Sequence, residues 1–450
     1  MTPAARELPR VLGLWDATCV VIGAIVGVGI FFTPRGVADV TGSAAGALLA
    51  WGLGGAIALL GALTFAELGR LRPVAGGQYL ILRDAFGRAP AFLFVFCNLT
   101  AVQAGAVAII AIVCAQNLGV ALHGAAPAAA WVLPIAAGLV AALAVVNVAG
   151  VRGGAGVQDA TVVVKLLVFA ALVAVALGVR AAPAAAAGPA AAVTPLRFAP
   201  LFTGVTLTLF AYGGWQQALW MAGETREAAR TVPRAILLGV GVVVLAYLSA
   251  NWAYLHLLGL AGVRRAPELA ADAFSVASPN LGRRLAAGAV AVSAFGVLNA
   301  QLLSGPRLTW AMAREGQFFA PFARLLPRAG TPAAAILLLA GLGTALALGL
   351  GPARTDALTA GVVVVDATFF ALTGLALPVL RRRAGRRAGW RDAAAVVFAA
   401  LELLAIAGSL LERDVRPVAL SAIGWMGAAG ITWAVWFRRR GAPAAAPAGA

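Results

Sequence analysis

Hydrophobic residues occur in long continuous runs along this chain, and short polar segments separate the runs. Twelve runs approach or exceed the roughly 20 residues that a helix needs to cross a bilayer. They cover residues 14–40, 43–68, 90–121, 130–150, 160–179, 200–222, 234–259, 285–312, 332–350, 356–379, 392–411 and 417–437. The runs are rich in Ala, Leu and Val and do not alternate in polarity as the short strands of a membrane barrel do. The pattern predicts an all-α polytopic membrane protein with 12 transmembrane helices.

Composition excludes the water-soluble classes of protein. Of the 450 residues, 62% are hydrophobic and 11% are charged, and the mean hydropathy is +0.93. A soluble domain carries about 25% charged residues. The three cysteines, Cys19, Cys97 and Cys114, lie in apolar stretches without the spacing of a metal site or a disulfide framework. We expect no metal and no cofactor.

The basic residues form short clusters between the apolar runs, which is typical of membrane topology rather than of nucleic-acid binding. An even number of spans places both termini on one side, and that side carries 24 of the 34 Lys and Arg residues. We therefore predict cytoplasmic termini and a bacterial inner membrane. The predicted segments are an N-terminus 1–13, a core 14–379, a basic cytoplasmic loop 380–391, two further helices 392–437 and a disordered tail 438–450. An Ala/Pro-rich external loop covers 180–197.

Glycines cluster at the centres of two predicted spans. Gly27 lies 13 residues after the start of the first span at Leu14, and Gly213 lies 13 residues after the start of the sixth at Pro200. Gly23 and Gly29 flank the first position, and Gly214 follows the second. Discontinuous helices at corresponding places in two halves of a chain indicate a transporter binding site. Glycines also serve helix packing in membranes, and those of the second span are interpreted that way.

An unwound segment in a membrane exposes backbone groups that need partners. The start of the following half-helix offers N–H groups and a partial positive charge, which favour a carboxylate. The end of the preceding half-helix offers carbonyl oxygens, which favour an ammonium group. Two such breaks side by side predict recognition of the backbone of an α-amino acid.

Four motifs resemble a known family. They are GAIVGVGIFFTP in the first span, ELGRLRPVAGGQYLILRDAFG after the second, FAYGGW with GETREAARTVPRAI in and after the sixth, and LTWAMAREGQFFAPF after the eighth. They resemble amino acid transporters of the amino acid–polyamine–organocation superfamily, in particular the L-type branch. The motifs extend to about residue 330, and the last four spans match by hydropathy alone. The resemblance implies a five-plus-five inverted repeat with discontinuous helices 1 and 6, followed by two additional helices.

The resemblance also implies roles for individual residues. The backbone of Val28, Gly29 and Ile30, after Gly27, would hold the substrate carboxylate. The carbonyls of Ile22, Phe210 and Ala211 would hold its amine, with Phe210 closing over the substrate as a gate. The side-chain pocket would be shaped by Tyr212, Gly213 and Gly214. Gln216 and Gln217 replace the usual Asn-Tyr of L-type relatives, which leaves the side-chain preference open.

Lys165 is the sole lysine of the chain and lies inside the fifth span. In the family resembled, a lysine at this place occupies the position of a sodium ion and contacts carbonyls of the first break, here near Gly23. We therefore expect Lys165 to act in coupling or gating. The alternative is a lysine near the span's end whose ammonium reaches the membrane surface.

Other charged residues are interpreted more simply. Asp366 lies in the middle of the tenth span and faces either the vestibule or a polar partner. Glu402 lies in the eleventh span, outside the repeats, where a subunit contact or a position near the membrane surface is expected. Glu224 and Glu227, with the arginines that follow them, are interpreted as a cytoplasmic latch or as a solvated charge cluster.

The sequence predicts a secondary active transporter of amino acids, neutral ones first, which works by alternating access without sodium. Proton coupling and exchange both stay open. The alternatives are a carrier of cationic amino acids or polyamines and, in another class, an ion channel. An enzyme is not expected, since no catalytic cluster or phosphate-binding motif is present. The expected partners are an amino acid and membrane lipids, without nucleic acid and with at most a homo-oligomer.

Overall fold

The computed structural model describes residues 7–179, 198–266, 268–278, 281–350, 355–411 and 416–438. Within these ranges every extended element is helical, and one isolated bridge joins Leu12 to Thr225. The all-α class is therefore confirmed. The predicted external loop 180–197 and residues 439–450 of the predicted tail lie outside the described residues.

In the described ranges, eight helices precede residues 180–197 and ten follow them. The first group is α1 (Leu14–Ile25), α2 (Gly29–Thr41), α3 (Ala44–Leu71), α4 (Gly77–Phe86), α5 (Arg88–Cys97), α6 (Ala104–His123), α7 (Ala129–Ala149) and α8 (Val151–Gly178). The second group is α9 (Phe198–Tyr212), α10 (Gln217–Trp220), α11 (Ala228–Arg265), α12 (Leu269–Ser275), α13 (Gly282–Ser304), α14 (Pro306–Arg314), α15 (Ala333–Leu350), α16 (Thr355–Arg383), α17 (Trp390–Leu411) and α18 (Arg416–Thr432). Short π-helical and 3-10 segments extend or join them at Asn98–Gln103, Ala222–Glu224, Ala320–Ala323 and Trp433–Phe437.

Most of these helices have the length and hydropathy of membrane spans. Among the described residues, eight helices or continuous helix pairs meet both criteria, and α1 with α2 forms a ninth candidate with a bend of 46°. A helix or helix pair occupies each of the predicted runs, but α9 with α10, α15 and α17 fall outside this set of nine. The protein is thus a multi-pass membrane protein, while the count of 12 spans and the inverted repeat stay predictions.

The fifth predicted span begins too late. Helix α8 starts at Val151, whereas the hydropathy pattern places the start at residue 160. The first turns carry glycines and the polar residues Arg152, Gln158 and Asp159, which lower the local hydropathy. These turns are helical because they pack against α1 and α13, where buried Gln158 accepts a hydrogen bond from Asn299 at 2.9 Å.

Helix α1 lies at the centre of the molecule, in contact with α8, α11 and α13. Helix α9 packs against α2 and α3, so the two glycine-rich segments are neighbours. Small residues permit these close approaches, as expected in a membrane. A Cβ at Gly61 of α3 would stand 2.8 Å from the ring of Trp215, which agrees with the packing role predicted for that span. The packing thus brings both glycine clusters to one place in the core.

Candidate functional site

The first helix break separates α1 from α2. Val26 has a ψ angle of 82°, far from helical values, and the helix resumes at Gly29. Gly29 lies against the end of α9, since a Cβ on it would stand 3.4 Å from the Cα of Ala211. The chain therefore leaves helical geometry at the predicted glycines, and a glycine lets the second segment approach.

Side chains from three surrounding helices bind the carbonyls that this break exposes. The Lys165 ammonium donates hydrogen bonds to the carbonyls of Gly23 at 3.1 Å and Val26 at 2.7 Å. Lys165 itself is 3% exposed. The predicted contact near Gly23 is present, and the alternative of an ammonium at the membrane surface is wrong. Because α8 begins at Val151, Lys165 lies well inside its helix rather than near the start.

Two hydroxyl groups complete the contacts to the first break. The Ser293 hydroxyl of α13 donates to the carbonyls of Val26 at 3.0 Å and Gly27 at 3.2 Å. The Tyr247 hydroxyl of α11 donates to the carbonyl of Ile25 at 3.0 Å. Neither residue was predicted from the sequence, because the presence of a serine or tyrosine in a span does not indicate which group its hydroxyl will contact.

The second break separates α9 from α10. Helix α9 ends at Tyr212, and the chain turns through Gly213 and Gly214 before α10 begins at Gln217. Gly214 has a φ angle of 134°, which side chains rarely adopt. A Cβ on Gly214 would also stand 2.8 Å from the carbonyl carbon of Ala24. Glycine is therefore required here by both the backbone angle and the contact with α1.

The two breaks face each other with opposite polarity. The first N–H groups of α2 have no acceptor one turn earlier, and they carry a partial positive charge. The last carbonyls of α9 are the corresponding acceptors, with a partial negative charge. No side-chain donor among the described residues bonds to the carbonyls of Phe210, Ala211 or Tyr212. The arrangement therefore offers donors for a carboxylate and acceptors for an ammonium group.

A cavity of about 190 Å³ lies between the breaks. Seven of the predicted site residues line it, namely Gly27, Val28, Gly29, Phe210, Ala211, Gly213 and Gly214. Phe210 is 41% exposed, which leaves its ring free of the core at the cavity wall. The remaining wall comes mainly from α6, α10, α13, α16 and α17.

The other predicted site residues lie outside the cavity wall. The Ile22 carbonyl accepts the Val26 N–H at 2.8 Å, Ile30 is fully buried, and Gly23 contacts Lys165. Tyr212 was expected to shape the side-chain pocket, but its hydroxyl donates to the Trp51 carbonyl at 3.2 Å. Its ring packs edge-on against the Trp51 ring, so aromatic packing with α3 turns it away from the cavity.

Glutamine side chains supply neutral polar groups to the wall. Gln217 donates to the Gln301 side-chain oxygen at 3.1 Å and accepts from the Ser304 hydroxyl at 2.8 Å. Gln216 also lines the cavity, and its side-chain oxygen has no partner among the described residues. The two glutamines that depart from the L-type pattern therefore both face the site. Gln103 and Gln301 lie there as well.

Two carboxylates line the same cavity. Asp366 comes from α16 and Glu402 from α17, and Glu402 is 5% exposed. Asp366 thus faces the vestibule, one of its two predicted positions. The predictions of a subunit contact or a surface position for Glu402 are wrong, because α17 packs on α16 and α3 and places this residue inside.

A buried ion pair lies behind the second break. The Arg307 guanidinium of α14 donates to both carboxylate oxygens of Glu224 at 2.8 Å, and both side chains are fully buried. The backbone N–H groups of Val11 and Leu12 also bond to the Glu224 carbonyl at 2.9 Å. Glu224 is thus neither solvated nor paired with the arginines that follow it. Of these two glutamates, only Glu227 is exposed, and its carboxylate lies 3.7 Å from the Arg230 guanidinium.

Metal ligands are not grouped in the described part of the chain. No set of three or more His, Cys, Asp or Glu residues could hold a metal ion there. The three cysteines are buried and unpaired. The chemistry of the site therefore rests on helix termini, neutral amides and carboxylates.

An all-helical membrane protein with two facing helix breaks around a cavity belongs to the class of membrane carriers, and comparison with known proteins specifies the family. The sequence profile of the amino acid permease family matches residues 12–433. The chain therefore belongs to the amino acid permeases of the amino acid–polyamine–organocation superfamily and resembles the L-type branch. The predicted family is confirmed, and its members are transporters rather than enzymes.

Individual relatives cover most of the chain. The serine/threonine exchanger SteT of Bacillus subtilis (strain 168) is 29% identical over 409 residues, which are 89% of this chain and 90% of the relative. The b(0,+)-type amino acid transporter 1 of Homo sapiens is 28% identical over 388 residues, which are 84% and 77% of the two chains. The Asc-type amino acid transporter 1 of Homo sapiens is 29% identical over 398 residues, or 85% and 74%. These relatives support amino acid transport by this chain.

Proposed function

We propose that this protein is a sodium-independent secondary transporter that moves amino acids across the cell membrane by alternating access. The observation that carries the proposal is the contact of two helix breaks around one cavity, with Gly29 against Ala211 and Gly214 against Ala24. A zwitterion has the matching pair of charges, and the breaks supply opposite partial charges at a fixed spacing.

The substrate carboxylate would bind the N–H groups at the start of α2, from Val28 to Ile30. The α-ammonium would bind the free carbonyls at the end of α9, where Phe210 and Ala211 lie. The Phe210 ring, partly exposed at the wall, would close over the bound substrate as a gate. Helices α1–α2 and α9–α10 would then move together against the surrounding helices.

The contacts of Lys165 support the proposed sodium independence. Its ammonium bonds to two carbonyls of the first break, the type of ligand that a sodium ion takes. A fixed positive charge there would repel a second cation. Coupling would then use either a proton or the exchange of one amino acid for another, and the name of the relative SteT favours exchange.

Neutral amino acids are the first substrate candidates, because the breaks recognise the backbone and much of the wall is apolar. Cationic amino acids or polyamines are the second, favoured by the carboxylates of Asp366 and Glu402 in the wall. An ion channel is a weaker interpretation, since channels are built from rings of equivalent groups, and here one chain supplies two different breaks. The proposed topology has 12 spans in a five-plus-five inverted repeat with two additional helices and cytoplasmic termini.

Uptake into liposomes tests this proposal. The purified protein would be reconstituted and assayed with labelled serine, leucine, arginine, glutamate and putrescine, with sodium or choline outside. We expect saturable uptake of amino acids that is independent of sodium. Stimulation by internal unlabelled amino acid would indicate exchange, and stimulation by an inward proton gradient would indicate symport.

Three outcomes would contradict parts of the proposal. Uptake that requires sodium would contradict the role of Lys165. Non-saturable, unselective flux would favour a channel. Uptake of putrescine without uptake of any amino acid would show that the breaks do not recognise an α-amino acid.

A further inference from the structure

The wall of the cavity carries two carboxyl groups without any positive partner among the described residues. Asp366 and Glu402 are its acidic residues, and no Lys or Arg is among the described residues that line it. Neither carboxylate has a hydrogen-bond or ion-pair partner in the part of the chain that the structure describes. Asp366 comes from α16 and Glu402 from α17, and these two helices pack against each other, so both carboxyl groups reach the same cavity.

Two other buried charged sites among the described residues have partners. Glu224 is paired with Arg307, and Lys165 bonds to two carbonyls. A buried carboxylate without a partner is destabilising, and two carboxylates in one cavity repel each other as well. Since no described residue supplies a cation at this wall, the pair is stabilised either by a proton or by a cation from outside the protein.

We propose that Asp366 and Glu402 form a cation subsite in this cavity, which binds the positively charged end of an amino acid side chain while the two helix breaks hold its backbone. The inference rests on the proposed transport function and extends its substrate class to amino acids with an ammonium or guanidinium group. Both carboxyl groups line the cavity that the breaks also line, so one bound amino acid would share this space with all of them.

The apolar wall between these groups suits the hydrocarbon stem of such a side chain. Phe370 and Ala367 of α16 and Ala405 of α17 line the cavity beside the carboxylates. The Phe370 ring is stacked on Trp215 with a centroid distance of 5.3 Å, which fixes it next to the second break. Long basic side chains place their methylene groups on apolar surface and their charge in a polar site.

Matched pairs of ligands test the subsite in the wild-type protein. Arginine and citrulline have nearly the same shape and differ in charge, whereas norleucine keeps the hydrocarbon stem of lysine and lacks its ammonium group. Each would compete with uptake of a labelled substrate in liposomes, and each would be tested for thermal stabilisation of the protein in detergent. We expect arginine and lysine to compete at concentrations about tenfold or more below those of citrulline and norleucine.

Isosteric substitutions then assign the effect to the two residues. Asp366→Asn and Glu402→Gln would each reduce the preference for arginine over citrulline by about tenfold, since each removes one buried charge partner. Glu268→Gln is the control, because Glu268 is an exposed carboxylate paired with Arg283 far from the cavity wall. It should leave the preference unchanged.

The outcomes separate this inference from the proposed function. If the wild-type protein transports neutral amino acids and shows no preference for arginine over citrulline, only the subsite is wrong. The same holds if Asp366→Asn and Glu402→Gln leave the preference intact but remove a dependence on the proton gradient, because the pair would then bind a proton. If no amino acid competes or is transported, the proposed function fails and the subsite with it.

Discussion

The two helix breaks have similar glycines but different surroundings. At the first break, the ammonium of Lys165 and the hydroxyls of Ser293 and Tyr247 bind the exposed carbonyls. At the second break, no side chain among the described residues bonds to the carbonyls at the end of α9. That break takes its shape from the backbone of Gly214 pressed against Ala24.

The difference indicates that the two breaks have separate roles. The protein itself supplies donors for the carbonyls of the first break. The second break keeps unbound carbonyls beside the cavity, and these are available to a ligand. If this comparison is correct, substitutions at the first break reduce uptake or stability by removing hydrogen bonds to its carbonyls. Substitutions at the second break reduce uptake by steric clash or by strain of the backbone.

The largest effect is expected at Lys165. Lys165→Met removes the ammonium that bonds to Gly23 and Val26 while keeping most of the unbranched side chain. Leaving two buried carbonyls without this donor costs about 1–3 kcal/mol, so uptake should fall about tenfold or more. Val164→Met, at the exposed neighbouring position, is the control and should retain uptake. Uptake equal to wild type in rate and in pH profile would remove Lys165 from coupling and gating.

The second prediction compares neighbouring glycines of the second break. Gly214→Ala forces a side chain onto a φ angle of 134° and to within 2.8 Å of the Ala24 backbone. Such strain costs about 1–3 kcal/mol, and we expect a loss of uptake of about tenfold. A Cβ at Gly213 would meet its nearest atom at 3.7 Å, so Gly213→Ala should cause a smaller loss. Equal losses at both positions would mean that space at the break does not matter.

The smallest effect is expected at Tyr247. Tyr247→Phe removes the hydroxyl that donates to the Ile25 carbonyl and leaves the ring in place, which costs about 1 kcal/mol. The thermal midpoint in detergent should fall, and uptake should fall only modestly. Tyr79→Phe is the matched control, because the buried Tyr79 hydroxyl has no partner in the described part of the chain. A larger loss of stability in Tyr79→Phe than in Tyr247→Phe would argue against a stabilising hydrogen bond from Tyr247 to the first break.

Much of the site could be predicted because its signals are local. Glycines in the middle of an apolar run indicate a break wherever the helix packs, and a sole lysine inside a span must find polar partners. The position of Glu402 could not be predicted in the same way. Its cavity forms only where α17 meets α16 and α3, helices whose contacts do not follow from hydropathy. The pairing of Glu224 with Arg307 joins residues far apart in the chain and escaped prediction for the same reason.

The all-helical membrane class, the family and the places where two helices are interrupted could all be predicted from the order of residues. These properties depend on composition, on motifs and on the conformational freedom of glycine, which act over short stretches of chain. Helix packing, in contrast, determines which groups bind the first break, that Tyr212 turns away from the cavity and that two carboxyl groups face into it. Those results depend on how helices rotate and pack against each other, and a hydrophobic run has no strongly polar face that would fix this rotation in advance.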